Sequence, residues 1–239
     1  MNSSDLAAII AHGSDELGID LPSGSDALFQ TYYNFLDKQG ECVNLTAITG
    51  IQDVARLHFL DSIALLKTTP FNDSRVIDIG SGAGFPGVPL KIAAPEIELT
   101  LLDSSGKRIR FLSDLVSLLD LDVNCVHERA ELAANNLCLR EHYDVAVSRA
   151  VAHLNVLCEL CLPFVCVGGL FIAMKGTDPS EEIAGAGNAI KILGAVLQDC
   201  IFYTVPGTDV KHCAVLIRKT TPTPVKFPRR FSRIKSSPL

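Results

Sequence analysis

From residue 75 onward the chain alternates short apolar runs with amphipathic ones, and this alternation constrains the fold more than any other feature. Candidate strands read RVIDIG (75–80), IELTLLD (97–103), VNCVHE (123–128), YDVAVSR (143–149) and GLFIAMK (169–175). Helical patterns fall between them near 87–94, 106–119 and 151–164. Nearly continuous apolar strands imply burial on both faces. Strand–helix alternation then implies a parallel, right-handed, doubly wound sheet. The end of the chain breaks the pattern. After a helix near 180–194, the strands AVLQDCIFYTV and KHCAVLIRKT are separated only by PGTD. Such a loop is too short for a parallel crossover, so this last pair is antiparallel.

Residues 1 to about 70 read as helical. LFQTYYNFLDKQ places Leu28, Tyr32, Phe35 and Leu36 at 3–4 spacing, and IQDVARLHFLDSIALLK repeats the pattern. Between them GECVNLTAITG reads as a loop. The expected organisation is a helical extension over 1–70 packed on the core, a sheet domain over 71–220 and a basic tail over 221–239.

A hydrophobic content of 48% against 20% charged residues in 239 implies a packed soluble core. No apolar run reaches the roughly 18 residues that span a membrane. The first residues carry acids and no basic n-region, so they read as mature sequence and the expected location is the cytoplasm. The eight cysteines then read as reduced thiols used as small apolar residues. Cys158-x-x-Cys161 lies inside the helical pattern LNVLCELCLPFV, with no second ligand pair at zinc spacing. It reads as packing, and no metal site is expected. Charge is uneven. From Val210 onward there are eight basic residues and no acid; the first 209 residues hold a net charge of −14 of the total −6. A basic tail on an acidic body suggests contact with a polyanion, with a solvated tail as the plain alternative.

The first strand runs into VIDIGSGAGFPGVPL, and two fingerprints overlap there. Gly82-x-Gly84-x-x-Gly87 matches the dinucleotide motif. Asp78-x-Gly80-x-Gly82-x-Gly84 matches the turn of enzymes that use S-adenosylmethionine (SAM). Ligands of open α/β sheets lie beyond the strand carboxyl ends. Those ends deliver Gly80, Gly82 and Phe85 from the first strand, Asp103 from the second, and Ala130 and Glu131 from the third. The fourth ends at Arg149 and the fifth at Lys175. Asp103 suits the hydroxyls of a ribose, though it could also cap a helix. The dinucleotide register leaves Asp78 and Gly80 unexplained. The other register uses three glycines for close approach of a ligand without phosphate, while Asp78 favours a cationic one directly or by ordering the loop. With the antiparallel finish, this selects SAM over NAD. Gly87 then reads as a helix-start residue packed near the sheet.

After the fourth strand the chain has SRAVAHL, neither the (D/N)PP(Y/F) of amino-directed DNA methylases nor the Pro-Cys of cytosine C5 enzymes. Arg149 supplies a planar donor fork for a phosphate or a guanine edge, or else a salt bridge at the sheet edge. His58 and Asp61, three apart on one helix face, form an internal pair or line the cleft. Two other classes stay open: an NAD-dependent oxidoreductase, for which no convincing catalytic set is present, and a non-catalytic SAM- or RNA-binding module.

Several stretches together resemble the bacterial small-subunit (16S) rRNA guanine-N7 methyltransferases of the RsmG (GidB) type. They are NLTAI (44–48), HFLDS (58–62), VIDIGSGAGFPGVPL (76–90), LLDSSGKRIRFL (101–112), RAE (129–131), SRAVAHL (148–154) and KFPR (226–229). The resemblance implies a Rossmann-like class I SAM-dependent fold, a sheet mostly parallel and ending in an antiparallel hairpin. It also implies SAM contacts at Gly80, Phe85, Ala130, Glu131 and Arg149, and a 16S rRNA or small-subunit substrate. Lys107, Arg108, Lys175, Lys226, Arg229 and Arg230 are the expected RNA contacts, and the chain is expected to act as a monomer. After KFPR many relatives continue with a Pro-Gly-rich run, whereas this chain has RFSRIKSSPL.

Overall fold

The computed structural model describes residues 3–43, 48, 50–149 and 151–239. Two helices open the chain, α1 (Ser3–Leu17) and α2 (Ser25–Val43). Phe29, Tyr32 and Leu36 form the buried stripe of α2, at the spacing that places them on one face. A third helical rod follows as α3 (Ile51–Val54), a π-helical stretch Ala55–Leu60, α4 (Asp61–Ile63) and a 3-10 turn Ala64–Lys67. Insertions of π geometry recur at functional sites, and this one carries His58. Most of the NLTAI stretch lies outside the described residues.

The remainder alternates as β1 (Arg75–Ile79), α5 (Gly87–Ala93), β2 (Glu98–Asp103), α6 (Gly106–Leu118), β3 (Val123–His127), α7 (Ala130–Ala133) and β4 (Tyr143–Arg149). It continues through α8 (Leu154–Cys161), β5 (Val165–Lys175), α9 (Ser180–Ile192), β6 (Ala195–Thr204), β7 (Lys211–Lys219) and α10 (Phe231–Ser236). The seven strands form one sheet in the order β3-β2-β1-β4-β5-β7-β6. The pairs among β1 to β5 are parallel, and β7 alone runs against its neighbours β5 and β6. The expected doubly wound sheet with an antiparallel finish is therefore present.

Two elements differ from the sequence expectation. β5 starts at Val165 rather than near 169. The pairing jumps from Tyr143↔Val165 to Val145↔Leu170, so a bulge absorbs the Gly168-Gly169 step, with Gly168 at φ 88°. The helix expected over 151–164 is shorter, because Pro163, which lacks an N–H, sits in a 3-10 turn over Leu162–Phe164.

Each face of the sheet is covered. One apolar cluster joins Leu6, Phe29, Tyr32 and Phe59 of the N-terminal helices to Val76, Leu101 and Leu112. The other joins Ile77, Ala146 and Phe171 to Leu157, Ile190, Phe227 and Ile234. Cys158 and Cys161 are fully buried within this second cluster, as the packing reading requires. At roughly 25 cal/mol per Å² of apolar area removed from water, burial of this kind is the main stabilising term. The tail is docked rather than loose. Phe227 and Ile234 are buried, and Arg229 grips the fully buried Glu159 with contacts of 2.6–3.1 Å.

Candidate active site

The glycine loop closes over the end of β1 with Gly80, Gly82 and Gly84 at φ 77°, 59° and 102°, a region that disfavours side chains. At Gly80 a Cβ would also come within 2.7 Å of Val151. Gly87 has a different task. Its N–H donates to Asp78 Oδ2 at 2.9 Å, and a Cβ there would meet that same oxygen at 2.8 Å and Leu101 at 2.7 Å. Gly87 starts α5 against the sheet, as the second register required.

Asp78 is fully buried behind the loop and does not line the cleft. Of the two roles open to it, the structure shows loop ordering. Burial pushes its carboxyl up to about 7, against the opposing pull of the Gly87 N–H and the Arg149 charge. Its Oδ1 has no hydrogen-bond partner among the described residues.

Asp103, also buried, accepts from Gly82 N–H at 3.0 Å and from Ser105 N–H at 2.8 Å. It thus ties the glycine loop to the start of α6. Oδ1 accepts one hydrogen bond among the described residues and keeps a second lone pair for a hydroxyl, while Oδ2 is shared by Gly82 and Arg108. Arg108 approaches the same carboxylate at 3.4 Å. At the start of α7, Glu131 accepts from Arg129 Nε at 2.5 Å.

Phe85 is stacked by Tyr32, centroids 5.3 Å apart, and by His58, centroids 4.5 Å apart. Tyr32 also donates to Ala83 O at 2.6 Å, which fixes the loop from the helical extension. Arg149 lies 5.0 Å from the Phe85 centroid. Its Nη1 donates to Leu57 O at 3.1 Å and to Asp61 Oδ2 at 3.2 Å, and its Nη2 faces His58 Nδ1 at 3.0 Å. A guanidinium cannot accept, so toward Arg149 the Nδ1 of His58 accepts, whereas toward Leu57 O, 3.1 Å away, the same nitrogen would have to donate; the tautomer decides which bond forms. Burial, with Arg149 beside it, lowers His58 to about 4, so it stays neutral near pH 7. Asp61 Oδ1 in turn accepts from Tyr203 Oη and His212 Nδ1, both at 2.8 Å. That bond raises His212 above the ordinary histidine range. Both residues of the His58–Asp61 question therefore line the cleft, joined through Arg149.

One cleft of about 1180 Å³ is lined by Gly80, Gly82, Phe85, Asp103, Arg108, Ala130, Glu131, Arg149 and Lys175. Lys107, Lys226, Arg229 and Arg230 lie outside it. Lys175 is already paired with Glu182 at 2.6 Å, and Arg229 with Glu159. Lys107, Lys226 and Arg230 are exposed. Sequence reasoning placed Tyr32 only on an apolar helix face, and it did not single out Tyr203, His212 or Phe231. The first three reach the site only through packing of α2 and of the β6–β7 hairpin, where Tyr203 and His212 pair in register. His212 carried a faint signal, a polar residue directly before the apolar run Cys213–Ile217.

The donor set fits SAM. The cradle has no side chains at the close-approach positions, Asp103 Oδ1 has a lone pair left for a hydroxyl, and Asp78, buried behind the loop, orders that cradle through the Gly87 N–H. The fold and this site define a Rossmann-like, class I SAM-dependent methyltransferase. Two solved structures share the fold: precorrin-6y C5,15-methyltransferase from Geobacter metallireducens and NSun6 from Pyrococcus horikoshii. The first has a TM-score of 0.50 at 14% identity and covers 67% of this chain and 86% of its own. The second has a TM-score of 0.54 at 14% identity and covers 70% and 52%. Residues 25–206 match the family model of GidB, rRNA small subunit methyltransferase G, and the chain belongs to that family. The relative from Clostridium kluyveri, named ribosomal RNA small subunit methyltransferase G, is 44% identical over 226 residues, 94% of each chain. Its namesake from Acetivibrio thermocellus is 40% identical over 235 residues, 98% of this chain and 97% of its own. No helix among the described residues is long and apolar enough to cross a membrane.

Proposed function

We propose that this chain transfers the methyl group of SAM to N7 of a guanine in 16S rRNA, acting as a cytoplasmic monomer on the rRNA or the small subunit. The observation that carries the reading is the cleft at the strand carboxyl ends, where the glycine loop, Asp103, Glu131 and Arg149 converge in a chain of the rRNA small subunit methyltransferase G family.

When bound, SAM supplies an electrophilic methyl on a sulfonium. Gly80, Gly82, Phe85, Asp103, Ala130 and Glu131 hold it at the ends of β1, β2 and β3. N7 of guanine is a neutral lone-pair nucleophile with no proton to lose, so the site needs alignment rather than a general base. Arg149 is held from three directions by Leu57, Asp61 and His58, and that fixes its fork where a base edge would enter. Phosphate contacts fall to exposed cations, Lys107, Lys226 and Arg230, with Arg108 at the rim. A-form RNA hides N7 in its deep groove, so the target guanine is unpaired or flipped out. In this reading residues 1–70 serve the site by fixing Phe85 and Arg149, and 71–220 carry the cofactor cleft.

Calorimetric titration with SAM, S-adenosylhomocysteine and NAD is expected to show binding of the first two alone. NAD binding without SAM binding would return the oxidoreductase reading. Mass spectrometry of 16S rRNA from a deletion strain should lack one 7-methylguanosine; an unchanged nucleoside profile would sink the substrate assignment. Purified protein that binds SAM yet methylates neither rRNA nor subunits would be a non-catalytic module.

A further inference from the structure

After KFPR the tail places an aromatic ring in the wall of the cleft. The anchor is firm. Arg229 holds buried Glu159 of α8, and Arg140 donates to the carbonyls of Thr223 at 2.9 Å and Phe227 at 3.0 Å. Ile234 is fully buried beneath α10. So fixed, α10 presents its first residue, half-buried Phe231, as part of the cleft wall. The Arg129 guanidinium lies 4.6 Å from the Phe231 centroid, and the same guanidinium bonds Glu131. The tail is thus coupled to the residues that follow β3.

Position along the sheet says which part of a ligand meets this wall. The order β3-β2-β1 sets the glycine loop at one end, Asp103 next to it and the Arg129–Glu131 segment beyond. A nucleoside whose ribose hydroxyls meet Asp103 therefore extends its base toward Arg129 and Phe231.

We propose that Phe231 is a cofactor-binding residue, and that the ring and the Arg129 guanidinium together form the wall against the adenine of SAM, so that the C-terminal tail completes the cofactor cleft. This rests on the SAM reading above. The chain contains no tryptophan, which allows a direct test. Phe231→Trp places a single indole at the wall in the full-length protein. S-adenosylhomocysteine and 5′-methylthioadenosine should both quench its fluorescence, and homocysteine should not. Phe231→Ala should weaken S-adenosylhomocysteine binding roughly tenfold, the size of one aromatic–base stack. Phe231→Tyr should restore it, with RNA affinity unchanged in both. Calorimetric binding to Phe231→Trp with no change in emission would overturn the proposal. So would an alanine variant that loses RNA affinity while keeping the cofactor, which would assign the ring to the target base. Failure of the wild-type protein to bind S-adenosylhomocysteine would instead remove the cofactor reading itself.

Discussion

Replacing Asp78 with asparagine should stabilise the ligand-free protein at pH 8 and weaken SAM binding. The carboxyl is fully buried, and its Oδ1 has no hydrogen-bond partner among the described residues. Burial lifts it from the ordinary 3.8 to about 7. A shift of about three units corresponds to about 4 kcal/mol between the two protonation states. The folded protein holds this proton more tightly than the unfolded chain. Its stabilising contribution is therefore complete below about pH 4, is lost as pH rises to about 7, and stays lost above. In the Asp78→Asn variant the side-chain oxygen can still accept from the Gly87 N–H, while the amide nitrogen falls where Oδ1 was. An unpartnered buried donor costs about 1–3 kcal/mol. The net gain at pH 8 is then about 1–3 kcal/mol, and at pH 4 the variant is the less stable. At about 2–4 °C per kcal/mol for a chain of this size, thermal melts of the two proteins should cross between pH 4 and 8. Binding reverses the order. A cation in the cleft favours the ionised carboxylate, so near pH 7 SAM should release a fraction of a proton from the wild type and none from the variant. Calorimetry in buffers of different ionisation enthalpy reads that proton. A variant that melts lower than wild type at every pH, with the same proton release, would refute the reasoning.

Three further perturbations, with Gly168→Ala as a control, probe the parts that hold the cleft together. Asp61→Ala removes the shared acceptor of Arg149, Tyr203 and His212; a buried pair broken on one side costs about 3–5 kcal/mol, so thermal melting should fall by roughly 6–20 °C. Gly84→Ala forces a side chain onto φ 102° and sets its Cβ 2.7 Å from Tyr32 Oη and 2.9 Å from Val88. Overpacking of this kind costs about 1–3 kcal/mol, seen as a lower urea midpoint. Gly168→Ala, with nothing within 4 Å of its Cβ, should lose only the backbone term. Arg149→Lys cannot serve Leu57, Asp61 and His58 at once. Transfer to rRNA should drop on the order of 100-fold while unfolding stays cooperative, and wild-type turnover would dismiss Arg149 from substrate positioning.

What could be read from the chain in advance was whatever had a local signature. β1, β2 and β4 are nearly continuous apolar runs whose burial on both faces leaves little choice of architecture, and PGTD is too short to connect anything but antiparallel strands. Once the strand ends were placed, topology alone assigned Gly80, Asp103, Glu131 and Arg149 to the same side. The contacts that hold those residues in place had no local signature. Arg149 meets His58 across 91 positions and Asp61 meets His212 across 151, and no periodicity encodes pairings at that distance. The tail is the instructive case, because its partner was visible all along. LNVLCELCLPFV contains one acid, Glu159, in an otherwise uncharged helix. A carboxylate buried among such neighbours must find a cation, since leaving it unpaired costs more than a helix of that size can supply. Counted as composition, the basic tail looked like an arm reaching for a polyanion. Counted as the set of candidate partners for Glu159, it held Arg229. The ion pair that answers Glu159 is also what sets Phe231 against the cleft, so a single buried acid connects the composition of the last 19 residues to the shape of the cofactor site.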